Sequence, residues 1–509
     1  SRLAKDNTEI DWKPYYELIF QNFLKLLIAD FPLKETNFVS NPIDIPMKVG
    51  LLFEKDGHGH GHRSRKHQKG VNMHSLLVYC VKPGDEEFWT NMERVVNICQ
   101  IYCHPDNQGK WTQAIAGFFL RFAKEYIKRY FKEKRWSENP SSDAKKHCLD
   151  EDCHKRFLAL NKKLLTFLMF TGREQIHLVA QLARNLIYFK PDEIVPFIME
   201  TVNYSLTLPE FSMTGMAQLL AYIAHPLLSR RNYNKGLYEL PELLFKTLDH
   251  ITPSDRKKTK NILLFYSKVA ELVPLYDPED LEAELKKLKL EPELEIFNEK
   301  EEINFPRFID QISNWALDFF TKFIQMLPFF DEKISKEKPP VRALLIDHKN
   351  KFTAFISASS HRLRKRYLEI FVGYLTENTE KTPNMYVSDI IQAFNLADPA
   401  MTLKYLFPVV KEKLLMKRHD SSFKTDNALQ EYLLGHAKHH EHVRSFELKT
   451  INKEILIWYL SILKDLVSYS QGLVRDYEAD LEAIFILTLG HKELEVCELT
   501  AQVIQTLIL

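Results

Sequence analysis

The sequence predicts an all-α chain, an α-solenoid of stacked helix pairs, on three observations. Glycine is scarce, 15 in 509 residues, against a usual share of about 7%. Open α/β enzymes and β-proteins need glycine in phosphate loops and hairpin turns, whereas helical arrays need far less. Apolar residues recur at helical spacing almost everywhere, and short Asp/Pro corners interrupt them.

Taken in order, the elements repeat one layout. "NICQIYCHPDNQGKW" (Asn97–Trp111) ends an apolar helical stretch at a corner. Pro105 disfavours helix at His104, and Asn107 and Gly109 tolerate the left-handed backbone that closes helices. Trp111 then opens "WTQAIAGFFLRFAKEYIKRYF", placed to pack across the turn. This structural account is preferred over a catalytic role for His104. Ile176, Val179, Ala180, Ala183, Leu186 and Ile187 follow the i, i+3, i+4, i+7 template of an amphipathic helix. A second helix follows at once in "PDEIVPFIMETVNYSL", with Pro191 where a first-turn proline is tolerated and Asp192 and Glu193 at the positive end. "LFYSKVAELVPLYDPEDLEAEL" turns at Asp277-Pro278, and "SDIIQAFNLADPAMTLKYLFPVVKEKLL" at Asp398-Pro399. Pro196 and Pro408 lie inside second helices and should bend them.

Helix, short corner, helix at ~40–47 residues is a HEAT- or armadillo-like unit, and the chain has room for roughly eleven. One pair cannot bury both apolar faces, but stacked neighbours can. Residues 1–509 are therefore read as one continuous segment of such an array. Loops or linkers are expected at 54–70 ("EKDGHGHGHRSRKHQKG"), 137–152, 277–304 and 331–340.

Composition narrows the function. With 45% hydrophobic and 27% charged residues the chain is globular, and it is too long for one core, which stops growing near 250–300 residues. A net charge of +1 gives no bulk pull toward nucleic acid or anionic membrane. Six cysteines in 509 residues are too sparse for a disulfide scaffold and suit a reducing compartment. No apolar run approaches the ~20 residues of a membrane span. "SRLAKDNTEIDW" shows neither initiator Met nor signal peptide, so an internal piece of a longer protein is expected.

Three histidine-bearing stretches invite a metal reading, and each is better read otherwise. His58, His60 and His62 alternate with glycine, too pliant for ligands that need fixed supports. "HCLDEDCH" (His147–His154) has adjacent His-Cys pairs that diverge; Asp150 as a helix N-cap, with Glu151 and Asp152 behind it, explains the stretch better. "HAKHHEHVRSF" (His436–Phe446) lacks H-E-x-x-H spacing. Neither phosphate-loop signature occurs, and G-x-S-x-G is absent. "HRLRKRY" (His361–Tyr367) is basic enough to meet phosphates but reads first as a charged helix face. With no nucleophile–base pair, no enzyme and no required cofactor are expected.

The corner also resembles one in the giant HEAT-repeat activators of the proteasome, the family of proteasome activator complex subunit four and its yeast bleomycin-sensitivity relative. That family carries aromatic-x-His-Pro-Ser-Asn-Asn-Gly-x-Trp or close to it. This chain matches at His104, Pro105, Asn107, Gly109 and Trp111, and departs at Asp106 and Gln108. "IDWKPYYELIF" (Ile10–Phe20), "KPDEIVPFIMETVNYSL", "ELVPLYDP" and "NLADPAMTLKYLFPVV" resemble further family stretches in the same order. The resemblance implies part of the N-terminal half to middle of a hollow helical dome over the α-ring of the proteasome core particle. It implies gate opening without ATP hydrolysis and passage of peptides, unfolded proteins and acetylated histones. It further implies residence in nucleus and cytoplasm, a link to DNA repair, and inositol polyphosphate as an optional ligand, for which no residue here is matched. A ring-engaging hydrophobic-Tyr-x tail is not found in "VIQTLIL". The runner-up is a HEAT-repeat nuclear transport receptor or scaffold, and a third class is a metal-dependent enzyme built on "HCLDEDCH".

Overall fold

The computed structural model describes residues 11–27, 73–103, 110–137, 148–169, 176–207, 213–252, 255–287, 305–331, 352–377, 385–415, 453–470, 472–491 and 493–508. Regular structure among them is helical, with one isolated backbone bridge, Leu275 to Ser359. Contacts divide the chain into two units, Ser1–Leu237 and Tyr238–Leu509.

In the N-terminal unit a short 3-10 turn, Lys13–Tyr15, leads into α1 (Tyr16–Leu27). Then come α2 (Met73–Cys80), α3 (Glu86–Gln100), α4 (Lys110–Ser137), α5 (Glu151–Leu168), α6 (Ile176–Phe189), α7 (Pro191–Thr207) and α8 (Met213–Leu228). All of these helices but α7 pack on a second neighbour along the chain. α2, α4, α6 and α8 form one row; α1, α3 and α5 begin the other. Consecutive helices from α5 to α8 close the pairs between the rows. This is how stacked helical repeats bury faces that no single pair can.

The α6 positions expected on the apolar face, Ile176, Val179, Ala180, Ala183, Leu186 and Ile187, are all buried. α7 starts at Pro191 with Asp192 and Glu193 in its first turn. Pro196 lies inside it at an exposed position, so the backbone hydrogen bond that proline removes is lost on the solvated side. Between α8 and the next helix the backbone closes tightly. A Cβ on Gly236 would sit 1.9 Å from the Leu227 carbonyl oxygen, which leaves room for glycine alone.

The division between units falls in the first turn of α9 (Gly236–Leu248). The C-terminal unit continues with α10 (Arg256–Leu272), α11 (Pro278–Lys287), α12 (Phe305–Asp331), a helix over 352–358 (α13) and α14 (His361–Glu377). It ends with α15 (Met385–Ala397), α16 (Pro399–Leu414), α17 (Lys453–Val467), α18 (Glu478–Leu489) and α19 (Leu494–Ile508). Second-neighbour packing recurs: α12 on α14, α14 on α16, α16 on α18, and α15 on α17, α17 on α19. Its core is aromatic. Trp315 lies 4.7 Å centroid to centroid and edge-on to Tyr266, and stacks at 6.0 Å on Phe319.

Two expected loops are shorter than the sequence suggests. In 137–152, α4 runs through Ser137 and α5 begins at Glu151, because the Asp150 side chain caps it by accepting from the Cys153 N–H at 2.8 Å. In 277–304, Pro278–Lys287 is helical. Proline opens it, Glu279 and Asp280 occupy the positive end, and Lys286 and Lys287 the negative end, a charge order that favours a helix despite few apolar residues. Residues 138–147, 288–304, 332–340 and all of 54–70 lie outside the described residues.

Candidate functional site

Of the corner, His104, Pro105, Asn107 and Gly109 lie outside the described residues, and Trp111 is placed only as backbone in the first turn of α4. Its flanks are described. After α3 the chain makes a 3-10 turn, Ile101–Cys103. The buried Thr112 hydroxyl on α4 then reaches back to donate to the Tyr102 carbonyl at 3.0 Å. This ties the two sides of the corner together. Cys99 and Cys103, on the α3 side, are buried. Burial pushes the Cys103 thiol up to about 12, and Cys99 is also raised by burial and then by Cys103. Thiols so placed stay protonated at neutral pH and lack nucleophilic reactivity.

The described residues of "HCLDEDCH" do not converge on a point. Cys153 is buried and its Sγ faces the Lys82 carbonyl at 3.6 Å. His154 is buried beside Tyr126, whose hydroxyl lies 3.0 Å from Nδ1, and Phe189 and Tyr130 stand edge-on to its ring. Burial lowers its pKa, so it is a neutral core histidine. Cys148 is half-exposed and His147 lies outside the described residues. Glu151 pairs with Lys190 at 3.0 Å and Asp152 with Arg156 at 2.8 Å, so the acidic turn braces α5.

A polar hub that sequence reasoning missed joins α2, α4 and the start of α5. Arg129 Nη1 donates to the Val78 and Val81 carbonyls at 2.6 and 3.0 Å, and its Nε to Glu133 at 2.5 Å. The other Glu133 oxygen accepts from the Leu149 N–H at 2.8 Å. Nearby, the Tyr16 hydroxyl meets the Asp85 carboxylate, which also accepts from the Phe88 N–H at 3.2 Å at the head of α3. In the sequence, Arg129 and Glu133 look like any i, i+4 surface pair; the carbonyls they serve are some fifty residues away.

The basic stretch His361–Tyr367 is occupied from within its own unit. Arg362 pairs with Glu279 and, at 3.5 Å, with Asp280; Arg366 lies 3.7 Å from Asp277. Asp280 also accepts from the Arg362 N–H at 2.8 Å, capping α14 from across the corner. The charged-face reading therefore holds, with the acidic turn of α11 as partner.

His74 gives a pH handle on the N-terminal unit. Burial, then the Arg121 charge, lowers its pKa to about 4, below the ordinary 6.5. The folded state thus keeps His74 neutral while the unfolded chain protonates near 6.5. Its contribution is full above pH 6.5 and is lost as pH falls toward 4. The expected loss is about 3 kcal/mol relative to His74→Phe. Urea unfolding of both proteins at pH 7, 5.5 and 4.5 checks this; parallel pH profiles would refute it.

Among the described residues no group of three His, Cys, Asp or Glu is placed to hold a metal ion, and no helix is long and apolar enough to cross a membrane. What the described geometry offers to a partner is surface on stacked helix pairs. Comparison with known proteins points the same way. Residues 92–424 match the family model of the mid HEAT-repeat region of proteasome activator complex subunit 4. The chain is similar to proteasome activator complex subunit 4B of Danio rerio, 23% identical over 424 residues, which are 80% of this chain and 21% of that protein. It is also similar to proteasome activator subunit 4 of Arabidopsis thaliana, 25% identical over 40% of this chain and 11% of that protein. For the Homo sapiens proteasome activator complex subunit 4 the figures are 25% identity, 54% and 14%. The matches thus span about a fifth or less of these relatives' own length. With well over half of its residues matching the family model and its helices stacked in rows, the chain belongs to the family of proteasome activator complex subunit 4, in the region of its middle HEAT repeats.

Proposed function

We propose that this chain forms part of the wall of an ATP-independent proteasome activator, one that caps the α-ring of the core particle and admits peptides and unfolded proteins, acetylated histones among them. The observation that carries the reading is the match of residues 92–424 to the middle HEAT repeats of a proteasome activator. Second-neighbour stacking supports it, since such an array presents a broad surface to large partners. In this reading the chain is a non-catalytic regulator that requires no cofactor and works in nucleus and cytoplasm, with inositol polyphosphate as a ligand of the whole protein. The corner His104–Trp111 has a structural role.

The test is affinity purification of the tagged native protein from its own cells. Core-particle α-subunits should co-purify, and the eluate should hydrolyse fluorogenic peptides faster than free core particle when ATP is depleted. Recovery of a Ran-type GTPase in place of core particle would replace this reading with that of a transport receptor.

A further inference from the structure

Acidic residues are scarce in the row of α2, α4, α6 and α8. α2, α6 and α8 contain no Asp or Glu. α4 contains two, Glu125 and Glu133, and Glu133 is buried on Arg129. Acid lies elsewhere: α7, packed on α6 and α8, carries Asp192, Glu193 and Glu200 with no Lys or Arg, and α3 carries Glu86, Glu87 and Glu93 beside Arg94, whereas α5 is net basic through Lys155, Arg156, Lys162 and Lys163. Along α4, Lys124, Lys128, Lys132 and Arg135 are all exposed. Steps of three and four residues put them on one helix face, and Arg121 extends the line by a turn. From Arg121 to Arg135 the stripe runs about 21 Å at 1.5 Å per residue. Glu125 flanks it, 3.5 Å from a Lys128 that is 61% exposed, a pairing too weak and solvated to silence the lysine. Phe131 adds an exposed apolar edge beside the stripe.

We propose that this face of α4 is a docking surface for an acidic, extended stretch of polypeptide. The shape of the charge selects the occupant. A compact polyphosphate needs cations that converge, and these lie along a line. Successive cations rise about 4.5–6 Å along the helix, near the ~6.7 Å between side chains on the same side of an extended strand. Flexible lysine stems span the difference. A duplex offers phosphates every ~3.4 Å per strand, and single strands call for aromatic stacking platforms, whereas a lone phenylalanine sits at the margin here. A net charge of +1 over the whole chain supplies no long-range field for a polyanion, so recognition is local. About six extended residues with alternate carboxylates would cover the stripe.

The surface is tested independently of the proteasome reading, by fluorescence anisotropy on the full chain with a labelled twelve-residue peptide of alternating Glu and Gly. Binding should occur at low ionic strength and weaken as salt rises through the Debye range. Lys124→Gln, Lys128→Gln, Lys132→Gln and Arg135→Gln together should weaken it by about tenfold or more. Lys155→Gln with Lys163→Gln, exposed on α5 in the other row, should leave it unchanged. Should the fourfold variant lose helical circular dichroism, Lys128→Gln and Arg135→Gln singly should each give a graded loss of about twofold. No binding by the wild type, equal affinity of wild type and stripe variants, or tighter binding of a twelve-residue oligothymidylate would overturn the proposal.

Discussion

Arg129→Met is expected to destabilise the N-terminal unit by about 3–5 kcal/mol. The substitution keeps most of the aliphatic bulk but strips three hydrogen bonds at once. The Val78 and Val81 carbonyls lose their donor, and Glu133, 8% exposed, is left charged in a site that hides it from water. An uncompensated buried charge costs more than the intact pair contributes, which puts this change above ordinary surface losses. Glu133→Gln should cost less, because its amide oxygen can still accept from the Leu149 N–H. Amide hydrogen exchange is the discriminating measurement. Protection should fall in α2, in α4 and at the start of α5 for Arg129→Met. Unchanged protection there would show that the hub does not hold these elements together.

Trp315→Ala should cost the C-terminal unit about 3–5 kcal/mol, the range for large-to-small aromatic truncation in a core. Trp315 is fully buried, with Tyr266 edge-on, Phe319 stacked and Phe355 edge-on at 6.0 Å. These rings come from α10, α12 and α13, so the cavity would open where three helices meet and could not be filled by one of them moving. Trp315→Phe, which retains a stacking surface, should lose distinctly less. Exchange at residues of α10 and α12 together with the urea midpoint checks both variants; an alanine variant with an unshifted midpoint would contradict the packing described.

Much of the fold was legible because helical periodicity and corner chemistry are local signals. Pro191, Asp277-Pro278 and Asp398-Pro399 open helices where the sequence places them, and Asp398 caps α16 by accepting from the Met401 N–H at 3.0 Å. The α6 face was readable for the same reason: one stripe faces one core. What could not be read was partnership over distance. Nothing around Arg362 announces Glu279 and Asp280, some eighty residues earlier, and nothing around Cys153 announces the Lys82 carbonyl. Charge-rich helices were also under-read. Pro278–Lys287 carries so few apolar residues that its helical content shows only in the order of its charges.

The bridge from Leu275 to Ser359 has a consequence during synthesis. Most helices pack on a first or second neighbour, so a hairpin can settle soon after it leaves the ribosome. The corner at Asp277 differs. Its backbone N–H is received by the Ser360 hydroxyl 83 residues later. At ~5–20 residues per second, that partner emerges roughly 4–17 seconds afterwards. For that interval the nascent chain holds an acidic turn whose arginines do not yet exist, and translation speed across this stretch sets how long it waits.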